Sequence, residues 1–170
     1  MTEREKVLAR LAELGIGYEL FEHPAVTTIE EMDTFLDSQT AADGARISPF
    51  VVKNLFLRDA KGRRHFLVVL DKEKRADLKK LAAEIGSTPL GFASAERLQK
   101  YLGLVPGEVT PLAVLNDTAH AVEVLLDADV AARPCVGVHP NDNTATLLLA
   151  TADLKRYFDA CGASVRIVRV

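Results

Sequence analysis

Apolar residues recur at helical spacing in several segments of the chain, and the residues that flank these segments mark where helices begin and end. The first segment follows a capping box formed by Thr2 and Glu5 and stops at Gly15, which predicts an N-terminal amphipathic helix. Capping residues and glycines bound further helical segments. These run from Thr28 to Phe35 or Leu36, from Ala76 to Ile85, from Ser94 to Tyr101, across Asp127 to Pro134, and from a predicted cap at Thr151 to Cys161.

Short apolar runs between turn residues predict the strands. The strongest pair, Phe50 to Leu57 and His65 to Leu70, flanks the turn Asp59 to Gly62 and predicts a hairpin. Two glycines and two prolines between Gly103 and Pro111 predict an irregular loop. The other predicted strands are Tyr18 to Phe21, Leu112 to Leu115, Ala121 to Leu126, Val136 to His139, Thr144 to Leu149 and Ser164 to Val170.

The order of these elements indicates the fold class. Strands and helices mix without the strict alternation of a doubly wound fold. We therefore expect residues 1–170 to form a single α/β (α+β-like) domain with a mixed, mostly antiparallel sheet of about seven strands flanked by helices. No internal repeat, linker or low-complexity segment divides the chain.

Composition narrows the class of protein further. Of the 170 residues, 48% are apolar and 26% are charged, the balance of a soluble globular domain rather than a disordered, collagen-like or disulfide-rich chain. No apolar run approaches the ~18 residues of a membrane-spanning helix, and the charged N-terminus does not resemble a signal peptide. We expect a cytoplasmic protein with no membrane partner, in which Cys135 and Cys161 are buried, reduced thiols.

Net charge changes the picture once it is divided along the chain. The whole chain carries a formal charge of −3, which by itself disfavours a nucleic-acid partner. Residues 1–43 sum to −7, residues 44–80 to +7 and residues 81–170 to −3. The basic stretch is compatible with a nucleic-acid contact and equally with a plain solvated surface.

Sequence signatures of several common enzymes are absent. The chain has no GxSxG, no GxxxxGK[ST], no HExxH and no GxGxxG after a predicted strand. Its four histidines, His23, His65, His120 and His139, lack the four-residue spacing of a helical zinc site. We expect neither a metal nor another cofactor.

Lys53 and Asn54 interrupt the apolar strand that runs from Val51 to Leu57. An ammonium group among core residues is costly unless it reaches water or meets an anion. An edge-strand lysine that extends to solvent would satisfy this condition. So would a cation held in a cleft for a phosphate or a carboxylate.

Two further segments could position a substrate. Gly107 to Pro111 has the pattern GxxxP, in which the glycine allows a sharp turn and successive N–H groups can point at one oxyanion. A plain connection would have the same composition. His139 ends a predicted strand before the turn Pro140 to Asn143, where its ring could titrate, donate a hydrogen bond or simply stabilise a hairpin.

These three features, in this order, resemble the YbaK-like family of aminoacyl-tRNA editing domains. The family includes free-standing deacylases and the editing insertion of bacterial prolyl-tRNA synthetases. The matching segments are Lys53 to Leu57, Gly107 to Pro111 and His139 to Thr146, and the resemblance spans roughly Glu3 to Phe158. The stretch Ser48 to Leu57 and the extended HPNDNTAT run make the chain most similar to the deacylases that clear alanine from proline tRNA.

The resemblance implies a trans-editing hydrolase that cleaves the ester of mischarged Ala-tRNA(Pro) and so maintains translational fidelity. Lys53 would contact the terminal adenosine, the loop at Gly107 would stabilise the oxyanion, and His139 would line the amino-acid pocket. Specificity would be a size filter, because a pocket too small for proline still accepts alanine. The substrate-binding residues would be Phe50, Val51, Asn54, Thr110, Pro111 and Asn143.

The resemblance also gives the basic stretch a candidate role and a partner. Its cations would contact phosphates at the acceptor end of the tRNA, which predicts salt-sensitive binding. Prolyl-tRNA synthetase is a further partner that the resemblance suggests. The predicted tRNA contacts are Arg63, Arg64, Lys72, Lys74, Arg75, Lys79 and Lys80, with Lys61 beside them.

Two other functions stay open at the level of the sequence. The chain could deacylate a different small amino acid, cysteine or serine, on its tRNA. It could instead be a non-catalytic module that binds an RNA or a synthetase and leaves every ester intact. Hydrolysis measured on a panel of mischarged tRNAs separates the three.

Overall fold

The computed structural model describes residues 1–25, 41, 44 and 46–170. The helix predicted from Thr28 to Phe35 or Leu36 lies outside the described residues. Within them, the helices are α1 (Glu3–Glu13), α2 (Leu78–Ile85), α3 (Ala95–Leu102), α4 (Ala128–Ala131) and α5 (Thr151–Ala160), and two 3-10 helices cover Ser48–Phe50 and Pro111–Asn116. The strands are β1 (Glu19–Glu22), β2 (Val52–Arg58), β3 (His65–Asp71), β4 (Gly91–Phe92), β5 (Val122–Asp127), β6 (Cys135–Val138), β7 (Ala145–Ala150) and β8 (Ser164–Val168).

The strands of the described chain form two sheets. One has five strands in the order β4-β2-β3-β5-β8, and the other has three in the order β1-β7-β6. Strand β5 is parallel to both β3 and β8, whereas the remaining pairs are antiparallel. The predicted mixed, mostly antiparallel α/β fold is therefore confirmed, with its strands divided between two sheets instead of one.

Two hydrophobic cores cover the two faces of the five-stranded sheet. The larger core lies between this sheet, the three-stranded sheet and helices α1, α3 and α5, and it includes Phe56 and Phe158. The smaller core lies between the sheet and α2, and it includes Leu57 and Leu81. Neighbouring residues of β2 therefore enter different cores, as the two-residue period of a strand requires.

The hairpin predicted between β2 and β3 is confirmed, and its turn is held by one carboxylate. Asp59 accepts hydrogen bonds from the backbone N–H groups of Arg63 at 2.7 Å and Arg64 at 3.1 Å. These bonds, that from Arg64 foremost, lower the pKa of Asp59. Gly62 has a φ of +68°, and a Cβ there would fall 2.7 Å from the guanidinium of Arg97. Two features therefore require glycine at position 62: the positive φ of the backbone and the close packing of the Arg97 side chain.

Two local predictions are wrong. The segment predicted as a strand from Leu112 to Leu115 belongs to the 3-10 helix Pro111–Asn116. Its apolar run is largely buried, and a short buried run has no period that separates strand from helix. Thr151 does not cap α5: Ala150 occupies the cap position without a side-chain hydrogen bond, and Thr151 is the first helical residue.

Among the described residues, an isolated backbone bridge links the residue before β2 to the last part of β6. Val51, just before β2, pairs in parallel with Gly137 in β6. A Cβ added to Gly137 would lie 3.0 Å from Val51 Cγ2 and 3.2 Å from Val51 Cα. The glycine thus allows the two sheets to approach closely beside the end of β6, where His139 follows.

Two global expectations can be compared with the described residues. None of the helices in this part of the chain combines the length and the apolarity needed to cross a bilayer. Cys135 and Cys161 are free thiols, as predicted, although both are half-buried rather than buried.

Candidate active site

Asn54 lies on the face of β2 that contributes to the larger core. The flanking same-face residues Val52 and Phe56 belong to that core. The Nδ2 of Asn54 donates to the Val109 carbonyl at 3.3 Å, whereas its buried Oδ1 has no hydrogen-bond partner within the described chain. A buried amide oxygen without a partner is uncommon and is available to accept a hydrogen bond from a ligand.

Lys53 extends from the opposite face of β2. Its Nζ donates to the carbonyl of Lys74. Lys74 is itself held by Asp127 at 2.8 Å and Asp129 at 2.7 Å, contacts that raise its pKa. In the described residues no hydrogen bond joins Lys53 to the Gly107 loop or to His139, so its catalytic role stays a prediction.

The loop from Gly107 to Pro111 approaches both Asn54 and the segment after β6. Gly107 has a φ of +91° and a Cβ there would have open space around it. Glycine is therefore favoured at this position by the backbone conformation and not by packing. Thr110 is fully buried, and its Oγ1 donates to the His139 carbonyl at 2.6 Å. The backbone N–H groups of Val109 and Thr110 have no acceptor among the described residues. Adjacent N–H groups in this state can stabilise a developing oxyanion.

His139 is held in one tautomer by the start of β7. Its Nδ1 lies 2.8 Å from the Ala145 carbonyl. A carbonyl only accepts, so Nδ1 carries the proton and Nε2 presents a lone pair. Burial lowers the pKa of His139, and the neighbouring His23 lowers it further. The ring is therefore neutral near pH 7 and can accept a proton.

His23 is a member of the site that the sequence did not indicate. Its ring centroid lies 6.0 Å from that of His139 in an edge-on arrangement. The Nδ1 of His23 contacts the Pro24 carbonyl at 2.9 Å, and its Nε2 contacts the Thr146 hydroxyl at 2.9 Å. These contacts fix the buried ring beside His139.

Two carboxylates flank the turn after His139. Asp142 accepts hydrogen bonds from the Thr144 N–H at 2.8 Å and its hydroxyl at 2.6 Å, and lies 3.9 Å from Arg4. Burial disfavours its charge, but these contacts outweigh burial and lower the pKa of Asp142. Burial and the charge of Asp142 raise the pKa of Glu108. The loop and the turn therefore influence one another electrostatically.

The remaining predicted substrate residues lie around this cluster. Val51 is buried against Gly137 and packs with Ile47. Pro111 is buried as the first residue of its 3-10 helix. Phe50, directly before Val51, and Asn143, in the turn, are half-buried. Their proposed contacts with substrate stay predictions.

Known proteins with related sequences identify the family. Residues 23–157 match the model of the aminoacyl-tRNA editing domain. The chain belongs to this family. The match begins at His23 and includes Asn54, the Gly107 loop and His139. It confirms the resemblance found in the sequence, and with it the enzyme class of aminoacyl-tRNA deacylases.

Relatives of this editing domain cover it almost end to end. The prolyl-tRNA editing protein ProX of Acetoanaerobium sticklandii is 48% identical over 170 residues, 100% of this chain and 99% of the relative. Prolyl-tRNA synthetase associated domain-containing protein 1 of Danio rerio is 34% identical over 158 residues, 92% of this chain and 81% of the relative. A solved structure described as a candidate trans-editing enzyme for prolyl tRNA synthetase is 24% identical, with a TM-score of 0.68 over 100% of this chain and 98% of that one. That structure shares the fold of the editing domain.

The basic residues predicted to contact tRNA fall into two groups in the editing domain. Arg63 and Arg64 precede β3, and the group from Lys72 to Lys80 follows it; the strand has seven residues, a length of about 23 Å. Arg64 forms a bidentate pair with Glu123 at 3.1 and 3.2 Å. Arg64 and Lys74 are thus both engaged within the protein, while Arg63, Arg75, Lys79 and Lys80 are exposed.

Proposed function

We propose that this chain is a trans-acting hydrolase that removes alanine from mischarged proline tRNA. Membership of the aminoacyl-tRNA editing family supports the reaction class. The 48% identity to a protein named as a prolyl-tRNA editing protein supports the identity of the tRNA. The acceptor end of the tRNA is the substrate, and prolyl-tRNA synthetase is the proposed protein partner.

The observation that carries the proposal is the convergence of unpaired polar groups from three chain segments. Asn54 offers an amide oxygen, Val109 and Thr110 offer two N–H groups, and His139 offers the Nε2 lone pair. Direct hydrogen bonds tie these segments to each other. An unpaired buried polar group such as the Asn54 Oδ1 costs free energy, so its place beside the other two segments supports a site that is completed by its substrate.

Hydrolysis of an aminoacyl ester fits these groups. The two N–H groups would receive the carbonyl oxygen, and each well-placed donor in such a site is worth about 3 kcal/mol. Neutral His139 would accept a proton from the attacking water or from the ribose 2′-hydroxyl. The water oxygen bonds to the carbonyl carbon, the bond to the ribose oxygen breaks, and that oxygen takes the proton. The products are tRNA and free alanine.

Asn54 and Lys53 would serve the two ends of the substrate. The Oδ1 of Asn54 would accept a hydrogen bond from the α-ammonium group of alanine. Lys53 would exchange the Lys74 carbonyl for a phosphate oxygen of the terminal nucleotide, because the anion adds a charge–charge attraction that the neutral carbonyl lacks. Val51 and Phe50 would close the amino-acid pocket and exclude proline by size.

The test is release of alanine from purified Ala-tRNA(Pro), compared with tRNAs mischarged with cysteine or serine. Turnover above the spontaneous rate, highest for alanine, is the expected result. Folded protein without turnover on any of these substrates would overturn the proposal in favour of a binding module. Preferred release of cysteine or serine would keep the chemistry and correct the substrate. Co-purification with prolyl-tRNA synthetase tests the protein partner.

A further inference from the structure

A second basic surface lies at the turn of the β2–β3 hairpin, and most of it was not among the predicted tRNA contacts. It combines cations from the hairpin with cations from α3 that lie beside the Tyr101 ring, and is referred to below as the hairpin surface. Its members are Arg58, Lys61, Arg63, Arg97, Lys100 and Tyr101.

Two arginines of the hairpin surface are fixed by backbone carbonyls and by a histidine. Arg58 donates to the carbonyls of Asp59 at 3.0 Å and Ala60 at 3.2 Å. Arg97 donates to the Gly62 carbonyl at 3.1 Å and to Nε2 of the buried His65 at 3.0 Å. A guanidinium only donates, so His65 accepts and is neutral. All of these acceptors are neutral, so they leave the positive charge of both arginines uncompensated.

The charge of the hairpin surface is not cancelled internally. In the described residues none of its five cations has a carboxylate within 4 Å, although seven other basic side chains do: Arg4, Lys6, Arg10, Arg64, Lys74, Arg133 and Arg156. The nearby carboxylate of Asp59 is used by the turn backbone. Glu96 shares a shallow cavity of about 170 Å³ with Arg97, Lys100 and Tyr101. With five cations and these two neighbouring carboxylates, the net charge of the hairpin surface stays strongly positive.

The hairpin surface and the candidate active site lie along the same face of β2. Asn54, Phe56 and Arg58 alternate on this face, and His65 stacks on Phe56 with ring centroids 5.8 Å apart. Arg58 lies four positions after Asn54 in β2, or about 13 Å along the strand. The hairpin surface is therefore within reach of the acceptor arm of a tRNA whose terminal nucleotide occupies the site.

We propose that the hairpin surface binds phosphates of the duplex acceptor stem while the aminoacylated end occupies the active site. This inference rests on the proposed function. The Tyr101 ring is already occupied, because Lys100 lies 5.2 Å from its centroid and His65 lies 4.2 Å from it. The surface therefore offers charge without a free stacking face, and it reads the backbone of the stem rather than its bases.

The test compares two double variants that each remove one arginine and one lysine. Arg63→Ala/Lys100→Ala alters the hairpin surface; Lys155→Ala/Arg169→Ala removes exposed cations from α5 and from the residue after β8. Binding of full-length proline tRNA is measured from 50 to 200 mM salt. Hydrolysis is measured on a short single-stranded oligonucleotide that ends in the aminoacylated acceptor nucleotides.

Loss of the hairpin cations should weaken tRNA binding about tenfold or more at low salt and reduce the slope of log K against log salt by about 2. The control variant should keep both the slope and the rate of oligonucleotide hydrolysis. The hairpin variant should lose more activity on full-length tRNA than on the oligonucleotide. An unchanged slope, or an equal change in the control, would overturn the inference. Loss of synthetase binding with an unchanged tRNA slope would assign the surface to a protein partner instead. Failure of the unaltered protein to hydrolyse both full-length Ala-tRNA(Pro) and the oligonucleotide would contradict the proposed function and leave the tRNA-binding comparison to decide this inference.

Discussion

The two ends of the β2–β3 hairpin both carry basic residues, but they treat the charge differently. At the open end, Lys53 donates to a carbonyl, Lys74 lies between two carboxylates, and Arg133 pairs with Asp71. At the turn, Lys61, Arg63 and Lys100 project without carboxylate partners in the described chain. Lys53, Lys74 and Arg133 are thus compensated beside the candidate chemistry, although the neighbouring Arg75 is exposed. The three cations at the turn are left open to a phosphate backbone. A charge total for residues 44–80 cannot distinguish these two situations.

The largest expected effect comes from His139, at the open end. His139→Asn should lower kcat/KM for Ala-tRNA(Pro) by about 100-fold or more, because a positioned general base contributes at least that much. His120→Asn is the matched control, since His120 is exposed and should leave kcat/KM unchanged. Steady-state kinetics together with circular dichroism separate catalysis from folding. Full activity of His139→Asn would remove the histidine from the mechanism.

The same residue predicts a dependence on pH. Because its pKa is lowered in the folded protein, His139 stays neutral below the ordinary histidine pKa of about 6.5. Activity should therefore persist to below that pH before it falls. The unfolded chain takes up the proton first, so the free energy of unfolding should decrease as pH drops below about 6.5 and level off under the folded pKa. Urea unfolding at several pH values should show a smaller decrease in His139→Asn than in the unaltered chain.

A variant of Lys53 tests whether its hydrogen bond to the Lys74 carbonyl is kept when substrate binds. Lys53→Ala should lower kcat/KM about tenfold to a hundredfold, the value of a hydrogen bond to a charged group, on both full tRNA and the short oligonucleotide. Lys80→Ala, an exposed lysine of α2, is the control and should leave oligonucleotide hydrolysis unchanged. If Lys53→Ala stays fully active, the Lys74 carbonyl is its permanent partner and its catalytic role is wrong.

Gly137→Ala perturbs the junction of the two sheets without touching a charge. A methyl group there meets the Val51 backbone at 3.2 Å, so we expect a loss of about 1–3 kcal/mol in the free energy of unfolding. Activity should fall as well, because His139 lies two residues away. Gly17→Ala, with nothing within 4 Å and no positive φ, should be nearly neutral. Chemical denaturation measures the free energy of unfolding of both variants. Equal values for Gly137→Ala and the unaltered chain would show that the close approach of the two sheets does not require glycine at position 137.

The smallest expected effect is at the turn itself. Arg64 precedes β3 but pairs with Glu123, so Arg64→Gln should cost less than about 1 kcal/mol of stability, as exposed pairs do. It should also leave the salt dependence of tRNA binding unchanged, unlike Arg63→Ala/Lys100→Ala. Titrations with tRNA at several salt concentrations check this. A decrease in the slope of log K against log salt as large as that of the double variant would show that a cation paired with a carboxylate contributes to tRNA binding as much as an unpaired one.

Much of this arrangement was predictable from local sequence. The capping box of α1, the hairpin turn at Asp59 and the glycine after α2 are short-range signals, and each is confirmed. The resemblance placed Lys53, Asn54, the Gly107 loop and His139 in one site, and hydrogen bonds join the last three of these. Strand alternation explains why Lys53 does not join them: adjacent residues of β2 face opposite cores.

Other parts depend on partners that are distant in the sequence. His23 enters the site through Thr146, which is 123 residues away, and no local pattern indicates this contact. Arg97 joins the hairpin surface from α3 and contacts His65 across 32 residues. The segment from Leu112 to Leu115 was assigned to a strand because a short buried run has no usable period. Such features are decided by tertiary packing.

The bridge between Val51 and Gly137 also has an evolutionary consequence. Val51 lies just before a strand of the five-stranded sheet and Gly137 lies in the three-stranded sheet, yet the space beside Gly137 is limited by the atoms of Val51. A larger residue at position 137 would displace the backbone of position 51 and, with it, the start of the strand that holds Asn54. Among descendants of this chain, substitutions at positions 51 and 137 should therefore occur together. The geometry of the site should change only where both positions have been substituted.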